Sequence, residues 1–237
     1  MKDWTREDNP YAQIAHLYEA EHGTWTDDLE MYTAFAQRVG GPVLDMGCGT
    51  GRVAVPLAAA GLEVHGYDAS DALLTIAHGK VRDKGVTVEL QRADLRRFST
   101  ATQYGLAICA LDTFLHLETA QDQLDALGSA IDALRPAGLL VVDVVNPSYD
   151  RLAARDGVVR TQRTFDGPQS ATVTHLVAWD VDPADQTIVA THMYDVVNPD
   201  GAMQRRTAIM RLRYLHRFEM ELLLPAPFVS ILANNVP

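Results

Sequence analysis

Three glycines at alternate positions, Gly47, Gly49 and Gly51, follow the short apolar segment Val43–Met46 and precede a stretch that predicts a helix over residues 52–60. Because glycine has no Cβ, such a run lets the chain turn sharply and bring its backbone close to a ligand. The first turn of the following helix presents free N–H groups and the positive end of its dipole to the same place. The stretch therefore predicts a strand, a ligand-binding loop and a helix, around which the rest of the chain has to be arranged.

The spacing and charge of this loop differ from those of a dinucleotide loop. The glycines read G-x-G-x-G, and Asp45 stands two residues ahead of the first one. A carboxylate at this place would repel a pyrophosphate and attract a cationic ligand, such as a sulfonium compound with a free ammonium group. A dinucleotide-dependent oxidoreductase remains an alternative, which this pattern disfavours because it lacks G-x-G-x-x-G.

Two further acids follow predicted strands. Asp68 ends the second predicted strand, residues 62–68, about twenty residues past the glycines, where an α/β nucleotide fold places the carboxylate that binds ribose hydroxyls. Asp94 follows the third predicted strand, Val86–Leu90. Taken singly, Asp68 could be a helix N-cap and Asp94 a simple turn residue. Their succession after consecutive strands favours ligand-binding roles.

The run from Leu44 to Arg52, LDMGCGTGR, resembles the nucleotide-binding loop of the class I S-adenosylmethionine-dependent methyltransferases. With the acids that follow, the resemblance covers about residues 8–147. It implies S-adenosylmethionine as cofactor, S-adenosylhomocysteine as product, and methyl transfer to an oxygen or nitrogen of a small-molecule acceptor. The alternative function is a non-catalytic protein that binds S-adenosylmethionine or a nucleotide with a methyltransferase-like fold. Turnover of the cofactor to S-adenosylhomocysteine distinguishes the two.

The resemblance also implies a role for each site residue. Asp45 and the backbone of residues 47–51 would hold the amino acid part of the cofactor, Asp68 the ribose, and Asp94 with Leu95 the adenine. The complete set of predicted cofactor-binding residues is Tyr11, Tyr18, Asp45, Gly47, Cys48, Gly49, Gly51, Arg52, Asp68, Ala69, Ala93, Asp94, Leu95, Ala110 and Leu111.

The N-terminal aromatic residues have two interpretations. The pattern of Tyr11, Ala15 and Tyr18 resembles the segment that family members fold over the cofactor as a lid, and a tyrosine hydroxyl would then reach the cofactor's carboxylate. The alternative is an aromatic stripe that packs in the core.

His116, on the loop after the fourth predicted strand, is the candidate catalytic residue. A neutral imidazole near pH 7 can take a proton from a hydroxyl or ammonium group. The alternative is a histidine that packs at a helix entry. Asp112 is expected to be an orienting or cofactor-side acid. His175 and His192 converge on neighbouring predicted strands, but the histidines show no short metal-ligand spacing and no metal site is predicted.

Strands alternate with helices five times in the first half of the chain, which predicts a doubly wound, mostly parallel, Rossmann-like sheet of the α/β class. From about residue 158, strands of alternating polarity separated by turns predict an antiparallel β-meander that forms a roof over the substrate. The predicted organisation is an N-terminal helical lid (1–40), a cofactor-binding core (41–150), an antiparallel insertion (151–215) and a C-terminal helix with a short strand (216–237).

The tail departs from the family pattern. Residues 218–224 predict a helix, but only residues 228–232 remain to supply a strand, where the family has a final hairpin of two strands. A sheet without its last strand leaves an edge exposed. We therefore expect either the tail itself or a homodimer contact to cover that edge.

Composition excludes some partners and indicates a location. The 237-residue chain is 47% hydrophobic and carries 20 basic against 31 acidic residues, a formal net charge of −11. This balance argues against nucleic acid or an anionic membrane as the main partner, because both need a clustered basic surface. The lack of a signal peptide or long apolar run predicts a cytoplasmic protein. Cys48 and Cys109 are expected to be reduced.

Overall fold

The computed structural model describes residues 9–224. Its α-helices are α1 (Ala15–His22), α2 (Leu29–Val39), α3 (Ala54–Ala59), α4 (Asp71–Lys84), α5 (Ala120–Ala133), α6 (Tyr149–Ala153) and α7 (Arg217–Leu223). Its strands are β1 (Val43–Met46), β2 (Val64–Asp68), β3 (Glu89–Arg92), β4 (Tyr104–Cys109), β5 (Leu134–Val142), β6 (Arg160–Asp166), β7 (Thr172–Asp182), β8 (Thr187–Val197) and β9 (Met203–Arg213). Short 3-10 turns occupy Pro10–Gln13, Thr113–His116 and Pro168–Ser170.

The first five strands form one parallel sheet in the order β3-β2-β1-β4-β5. Successive residues of β1 point to opposite faces: Val43 packs with α2 and α3, whereas Leu44 packs with α5 and α7. Burial on both faces explains why the central strands β1 and β4 are largely apolar without alternation. The strand order reverses between β1 and β4, and ligands bind at the carboxyl ends of the strands on either side of such a reversal. The predicted fold class is confirmed.

The second sheet is antiparallel, in the order β6-β7-β8-β9. The alternation of its strands places one set of side chains inward, including the fully buried Val173, Val177 and Ala190. This inner face packs against Ile14 and Leu17 of the N-terminal segment. The predicted β-meander is therefore present, and it covers the N-terminal helix as well as the end of the core sheet.

The predicted N-terminal unit packs in two parts. Ile14 and Leu17 lie under the antiparallel sheet, whereas Tyr32 and Ala36 of α2 are fully buried against the core sheet. Only residues 10–22 are thus placed as a lid would be. The division of the chain at residue 40 stays a prediction about function, while in packing terms α2 belongs to the core.

Some boundaries differ from the predicted ones. The fifth strand was expected over residues 139–145 but begins at Leu134 and ends at Val142, because the chain then turns toward Asp112, whose Oδ1 accepts a hydrogen bond from the Val145 N–H at 2.6 Å. Helix α7 lies within one residue of the predicted helix. The predicted strand at 228–232 lies outside the described residues, so the coverage of the sheet edge and the homodimer contact stay predictions.

Two further expectations concern the cysteines and membrane-spanning helices. Cys48 and Cys109 are both buried free thiols, as predicted. Among the helices of residues 9–224, none combines the length and the apolar character needed to cross a membrane.

Candidate functional site

The glycine loop connects β1 to α3 at the carboxyl edge of the core sheet. Gly47 and Gly51 have φ values of +76° and +77°, which L side chains rarely adopt. A Cβ at Gly47 would also collide with the side chain of Thr113. The N–H groups of Gly47 and Cys48 donate to the carbonyl of Tyr67 on β2 at 2.7 and 3.0 Å. The loop therefore needs glycine for both conformation and space.

Asp45 lies at the base of this loop with only 2% of its surface exposed. Its Oδ2 atom is buried and has no hydrogen-bond partner within residues 9–224. Burial raises the pKa of Asp45 to about 7, although the positive charge of Arg52 opposes that rise. An unpartnered buried carboxylate oxygen is costly. The group that would satisfy it is a cationic donor such as an ammonium.

Asp68 ends β2, as predicted, and its carboxylate is bound by backbone N–H groups. Gly49 donates to Oδ2 at 2.8 Å and Ser70 donates to Oδ1 at 2.7 Å. Burial raises the pKa of Asp68, and these N–H groups partly offset that effect. Each carboxylate oxygen has a second lone pair, so Asp68 can still accept hydrogen bonds from two hydroxyl groups. The ribose role stays a prediction that this geometry permits.

A cleft of about 370 Å³ lies over the loop. We call it the loop cleft; it brings together predicted residues Tyr18, Asp45, Gly47, Cys48, Gly49, Arg52, Ala110 and Leu111. It also includes His22, Thr50, Val53 and Thr113, which the sequence analysis did not select. Tyr11, Gly51, Asp68, Ala69, Ala93, Asp94 and Leu95 do not line it.

Arg52 is engaged in a role that the sequence did not indicate. Its guanidinium donates to both carboxylate oxygens of Asp28, at 2.6 and 2.8 Å, and to the carbonyl of Trp25 at 3.2 Å. It therefore ties the glycine loop to the connection between α1 and α2. Asp28 is a functional candidate missed from the sequence, where it reads only as an acid before a helix.

Residues 93–95, which are predicted to bind adenine, follow β3 at the same edge of the sheet. The Ala93 N–H donates to the carbonyl of Asp68 at 3.0 Å, which holds these residues beside Asp68. Both carboxylate oxygens of Asp94, however, accept hydrogen bonds from Arg96, at 2.9 and 2.7 Å. The backbone of residues 93–95 and the Leu95 side chain are thus the parts of this segment that could contact a ligand. The adenine-binding role of the Asp94 side chain stays a prediction.

A strained turn follows β4. Leu111 and Asp112 have successive positive φ values of +51° and +59°, which are uncommon for residues with a side chain. The turn is held from the end of β5: Asp143 Oδ2 accepts a hydrogen bond from Leu111 N–H at 3.2 Å, and Val145 N–H donates to Asp112. Strain of this kind clusters at functional sites. The orienting role expected for Asp112 is consistent with these contacts.

A second cleft, of about 420 Å³, lies on the other side of this turn. We call it the roof cleft, because its walls include Trp179, Ile188 and Leu212 of the antiparallel sheet along with Asp112 and Asn146 from the core. Leu111 and Thr113 line the loop cleft, whereas Asp112 between them lines the roof cleft. The two clefts therefore share the turn at residues 111–113 as part of their linings.

Tyr11 and His116 meet at this junction. The Tyr11 hydroxyl lies 3.1 Å from His116 Nε2, and the ring of Tyr11 packs edge-on against Tyr18 with centroids 5.2 Å apart. Burial lowers the pKa of His116 to about 4, so the ring is neutral near pH 7. In the tautomer that carries its proton on Nδ1, the Nε2 atom accepts a hydrogen bond from the Tyr11 hydroxyl. His116 is thus half-buried, neutral and covered by the N-terminal segment.

His175 and His192 do converge on neighbouring strands. Their rings stack with centroids 5.1 Å apart, and His175 Nε2 lies 2.9 Å from His192 Nδ1. The contact is a hydrogen bond between the two rings. In the described part of the chain, no group of three or more His, Cys, Asp or Glu side chains is arranged to hold a metal ion.

Comparisons with known proteins match the part of the chain that contains the glycine loop. Residues 43–138 match a family model described as a methyltransferase domain. The Bacillus subtilis protein YqeM, whose name carries a methyltransferase assignment without a substrate, is 33% identical over 140 residues, which cover 56% of this chain and 55% of YqeM. The chain thus spans about half the length of the curated relatives it matches.

Two solved structures extend the likeness to the roof. The CcbJ methyltransferase from Streptomyces caelestis is 28% identical, with a TM-score of 0.74 over 92% of this chain and 86% of that chain. CalS10 from Micromonospora echinaspora, an amino pentose methyltransferase of calicheamicin biosynthesis solved with S-adenosylmethionine bound, shares the fold at 19% identity and a TM-score of 0.70, over 87% of this chain and 84% of that chain.

The glycine loop, Asp45 in β1, Asp68 at the end of β2 and the matched family model agree with one another: residues 43–138 match a methyltransferase domain, and their loop and acids resemble those of the class I S-adenosylmethionine-dependent methyltransferases.

Proposed function

We propose that this chain is an enzyme that transfers the methyl group of S-adenosylmethionine to an oxygen or nitrogen of a small-molecule acceptor. The observation that carries the proposal is the buried, unpartnered Oδ2 of Asp45 at the base of the loop cleft. This acid would bind the ammonium of the methionine part of the cofactor. All the residues that would hold the cofactor in this proposal belong to this chain.

The bound cofactor supplies a methyl group on a sulfonium, whose leaving group is already good. The protein therefore contributes mainly position and exclusion of water. The loop cleft and the roof cleft meet across the turn at Leu111–Thr113, which places two ligands in adjacent spaces. The roof cleft would hold the acceptor. An amino sugar is one acceptor class to include in tests, because CalS10, which shares the fold, is an amino pentose methyltransferase.

His116 is the proposed catalytic residue of the core. Its Nε2 faces the Tyr11 hydroxyl, and that hydroxyl's oxygen can accept a further hydrogen bond from an acceptor. The pair would hold the acceptor's O–H or N–H group at the junction of the two clefts. In this role His116 acts on the reacting atom through Tyr11.

The remaining parts of the proposal concern partners and location. The net charge of −11 fits a small-molecule acceptor better than nucleic acid or an anionic membrane. We also propose a cytoplasmic location and a homodimer contact at the β5 edge of the core sheet.

The experiment is isothermal titration with S-adenosylmethionine and, separately, with S-adenosylhomocysteine. We expect micromolar binding that is lost in Asp68→Ala and in Asp45→Asn, but kept in Asp83→Ala, an exposed acid of α4 that serves as control. Cofactor turnover is then measured with amino sugars, small amines and phenols. Binding without turnover of any acceptor would favour the non-catalytic alternative, and no binding of either compound would contradict the proposal.

A further inference from the structure

A buried carboxylate and two histidines form a continuous chain under the roof. Glu21 Oε1 lies 2.9 Å from His175 Nδ1, and His175 Nε2 lies 2.9 Å from His192 Nδ1. Tyr194 donates to the other oxygen of Glu21 at 3.2 Å and stacks on His175 with ring centroids 4.3 Å apart. The site described above does not use any of these groups.

The burial of the side chains decreases along this series of hydrogen bonds, from Glu21 to His192. Glu21 and His175 are 6% and 5% exposed, whereas His192 is half-buried. His192 Nε2 makes no hydrogen bond within residues 9–224. Glu21 thus anchors one end, and an imidazole nitrogen without a protein partner forms the other.

When both rings are neutral, the hydrogen bonds are compatible with one pair of tautomers. Burial alone would raise the pKa of Glu21, but the hydrogen bond and charge of His175 outweigh it, so the pKa lies below its usual value and Glu21 is ionised. An ionised carboxylate only accepts, so His175 Nδ1 carries a proton. In a neutral His175 the Nε2 atom must then accept, so His192 Nδ1 donates. The remaining nitrogen, His192 Nε2, is left with a free lone pair.

His192 itself lines neither cleft, but it lies beside two residues that line the roof cleft. On β8, His192 shares the inward face with Ile188, which lines the roof cleft. Its ring packs edge-on against Trp179, another wall residue of the same cleft, with centroids 5.7 Å apart. His116, by contrast, already uses its Nε2 to accept from Tyr11.

We propose that His192 is the residue that removes the acceptor's proton during methyl transfer, with His175 and Glu21 as positioning residues that draw this proton away from the cleft. This inference rests on the proposed function. It narrows the acceptor to a hydroxyl or amine that gives up a proton when it is methylated.

The proton transfers balance without any further reactant. A lone pair of the acceptor oxygen or nitrogen forms the bond to the methyl carbon, the bond from that carbon to sulfur breaks, and its electron pair stays on the sulfur of S-adenosylhomocysteine. The O–H or N–H bond breaks with its electron pair left on the acceptor atom, and the proton goes to His192 Nε2. The proton on His192 Nδ1 passes to His175 Nε2. His192 is neutral again, and the positive charge rests on His175 beside the Glu21 carboxylate. The proton leaves to water after the product has gone.

The surrounding charges favour the state in which the positive charge rests on His175. Burial, and then the charge of His175, lower the pKa of His192 to about 4, so a proton is not retained on His192 itself. The other titratable groups near the chain are His22, 3.8 Å from Glu21 Oε2, His116 across the cleft, and Tyr194. Arg163 of β6 donates to the Glu21 carbonyl at 3.4 Å and disfavours a cation there. Glu21 is therefore the group whose negative charge stabilises a proton on the His175–His192 pair.

The first test needs no acceptor. In protein labelled with ¹⁵N-histidine, two-bond ¹H–¹⁵N spectra at pH 7.5 report which ring nitrogen carries a proton, and signals are assigned with His175→Gln and His192→Gln. We expect protons on Nδ1 of both rings and a bare His192 Nε2. A proton on His192 Nε2, or a mixture of tautomers, would overturn the proposal.

A pH titration of the same signals tests the carboxylate. Removing a negative charge makes protonation of the pair harder, so Glu21→Gln should lower its midpoint by about one pH unit or more. His16→Gln, an exposed histidine on the same helix, is the control and should leave the midpoint unchanged. An unchanged midpoint in Glu21→Gln would contradict the role given to Glu21.

Turnover provides the last test, on whichever amino sugar, amine or phenol the protein methylates. We expect His192→Gln to lower kcat about 100-fold or more with little change in KM for S-adenosylmethionine, and Glu21→Gln to lower kcat less while moving the pH profile. Full kcat in His192→Gln would overturn the proposal. Absence of cofactor binding in the unaltered protein would instead refute the proposed function, and the two spectroscopic tests would still decide the tautomers and the role of Glu21.

Discussion

Arg52 and Asp28 form a two-pronged ion pair, with Nη1 2.6 Å from Oδ1 and Nη2 2.8 Å from Oδ2. Their side chains are only 8% and 14% exposed. Arg52 lies just after the glycine loop, and Asp28 lies in the connection that follows α1. The pair therefore links the cofactor loop directly to the segment that covers it.

Asp28→Ala should destabilise the protein and loosen this segment. It leaves the Arg52 charge buried without its partner, which typically costs about 3 kcal/mol in a site of this burial. Thermal or urea unfolding gives the change, and titration with S-adenosylmethionine should show weaker binding. Asp27→Ala, the exposed neighbour, is the control. Equal stability of the two variants would contradict a structural role for the pair.

The pKa of Asp45 makes stability depend on pH. In the folded, ligand-free protein this pKa is about 7, above the value of about 3.9 in an unfolded chain, so the folded state binds a proton that the unfolded state releases. Stability should therefore fall as pH rises from about 4 to 7, by up to about 4 kcal/mol, and remain at the lower value above pH 7.

Asp45→Asn should remove this part of the pH dependence and raise the unfolding temperature at pH 8, while abolishing cofactor binding. Unfolding scans between pH 5 and pH 8 measure the effect, with Asp83→Asn as an exposed control. Parallel curves for the unaltered protein and Asp45→Asn would mean that Asp45 keeps an ordinary pKa.

Gly47→Ala should disrupt the glycine loop. The added Cβ meets Thr113 and is forced into a positive φ, a combination that we expect to cost about 1–3 kcal/mol and to weaken cofactor binding. Gly128→Ala is the matched control: this glycine lies inside α5 with open space around it, so alanine should be neutral or stabilising by about 0.5–1 kcal/mol. If both variants unfold alike, the loop does not need glycine at position 47.

His116→Ala and Tyr11→Phe should impair the reaction in the same way, because each removes one side of the same hydrogen bond. We expect kcat to fall about 10-fold or more in both, and the double variant to be little worse than either single one, since the two residues act as a unit. Full turnover of His116→Ala with an unchanged pH profile would remove His116 from the mechanism.

Local sequence determined the parts of the site that depend on backbone geometry. The glycine loop, with Asp45 ahead of it and Asp68 at the end of the next strand, could be predicted because turn geometry and strand succession are encoded within about thirty residues. The strands of the roof could be predicted for the same reason, since a period of two is a local signal. Tyr11 was selected from the family resemblance, and His116 from its place on the loop after the fourth predicted strand.

Tertiary structure decided which side chains meet. Glu21 is an acid on the first helix, and His175 and His192 are inward residues of the roof, separated from it by more than half the chain. The strand pattern brought the two histidines together, but no local pattern marks Glu21 as their partner, because that contact depends on how the roof sheet packs on the N-terminal helix. The same holds for Arg52, which the loop pattern placed at the cofactor and the fold paired with Asp28. Sequence thus determined the backbone that receives the cofactor, and packing between distant elements decided the charges and proton positions around it.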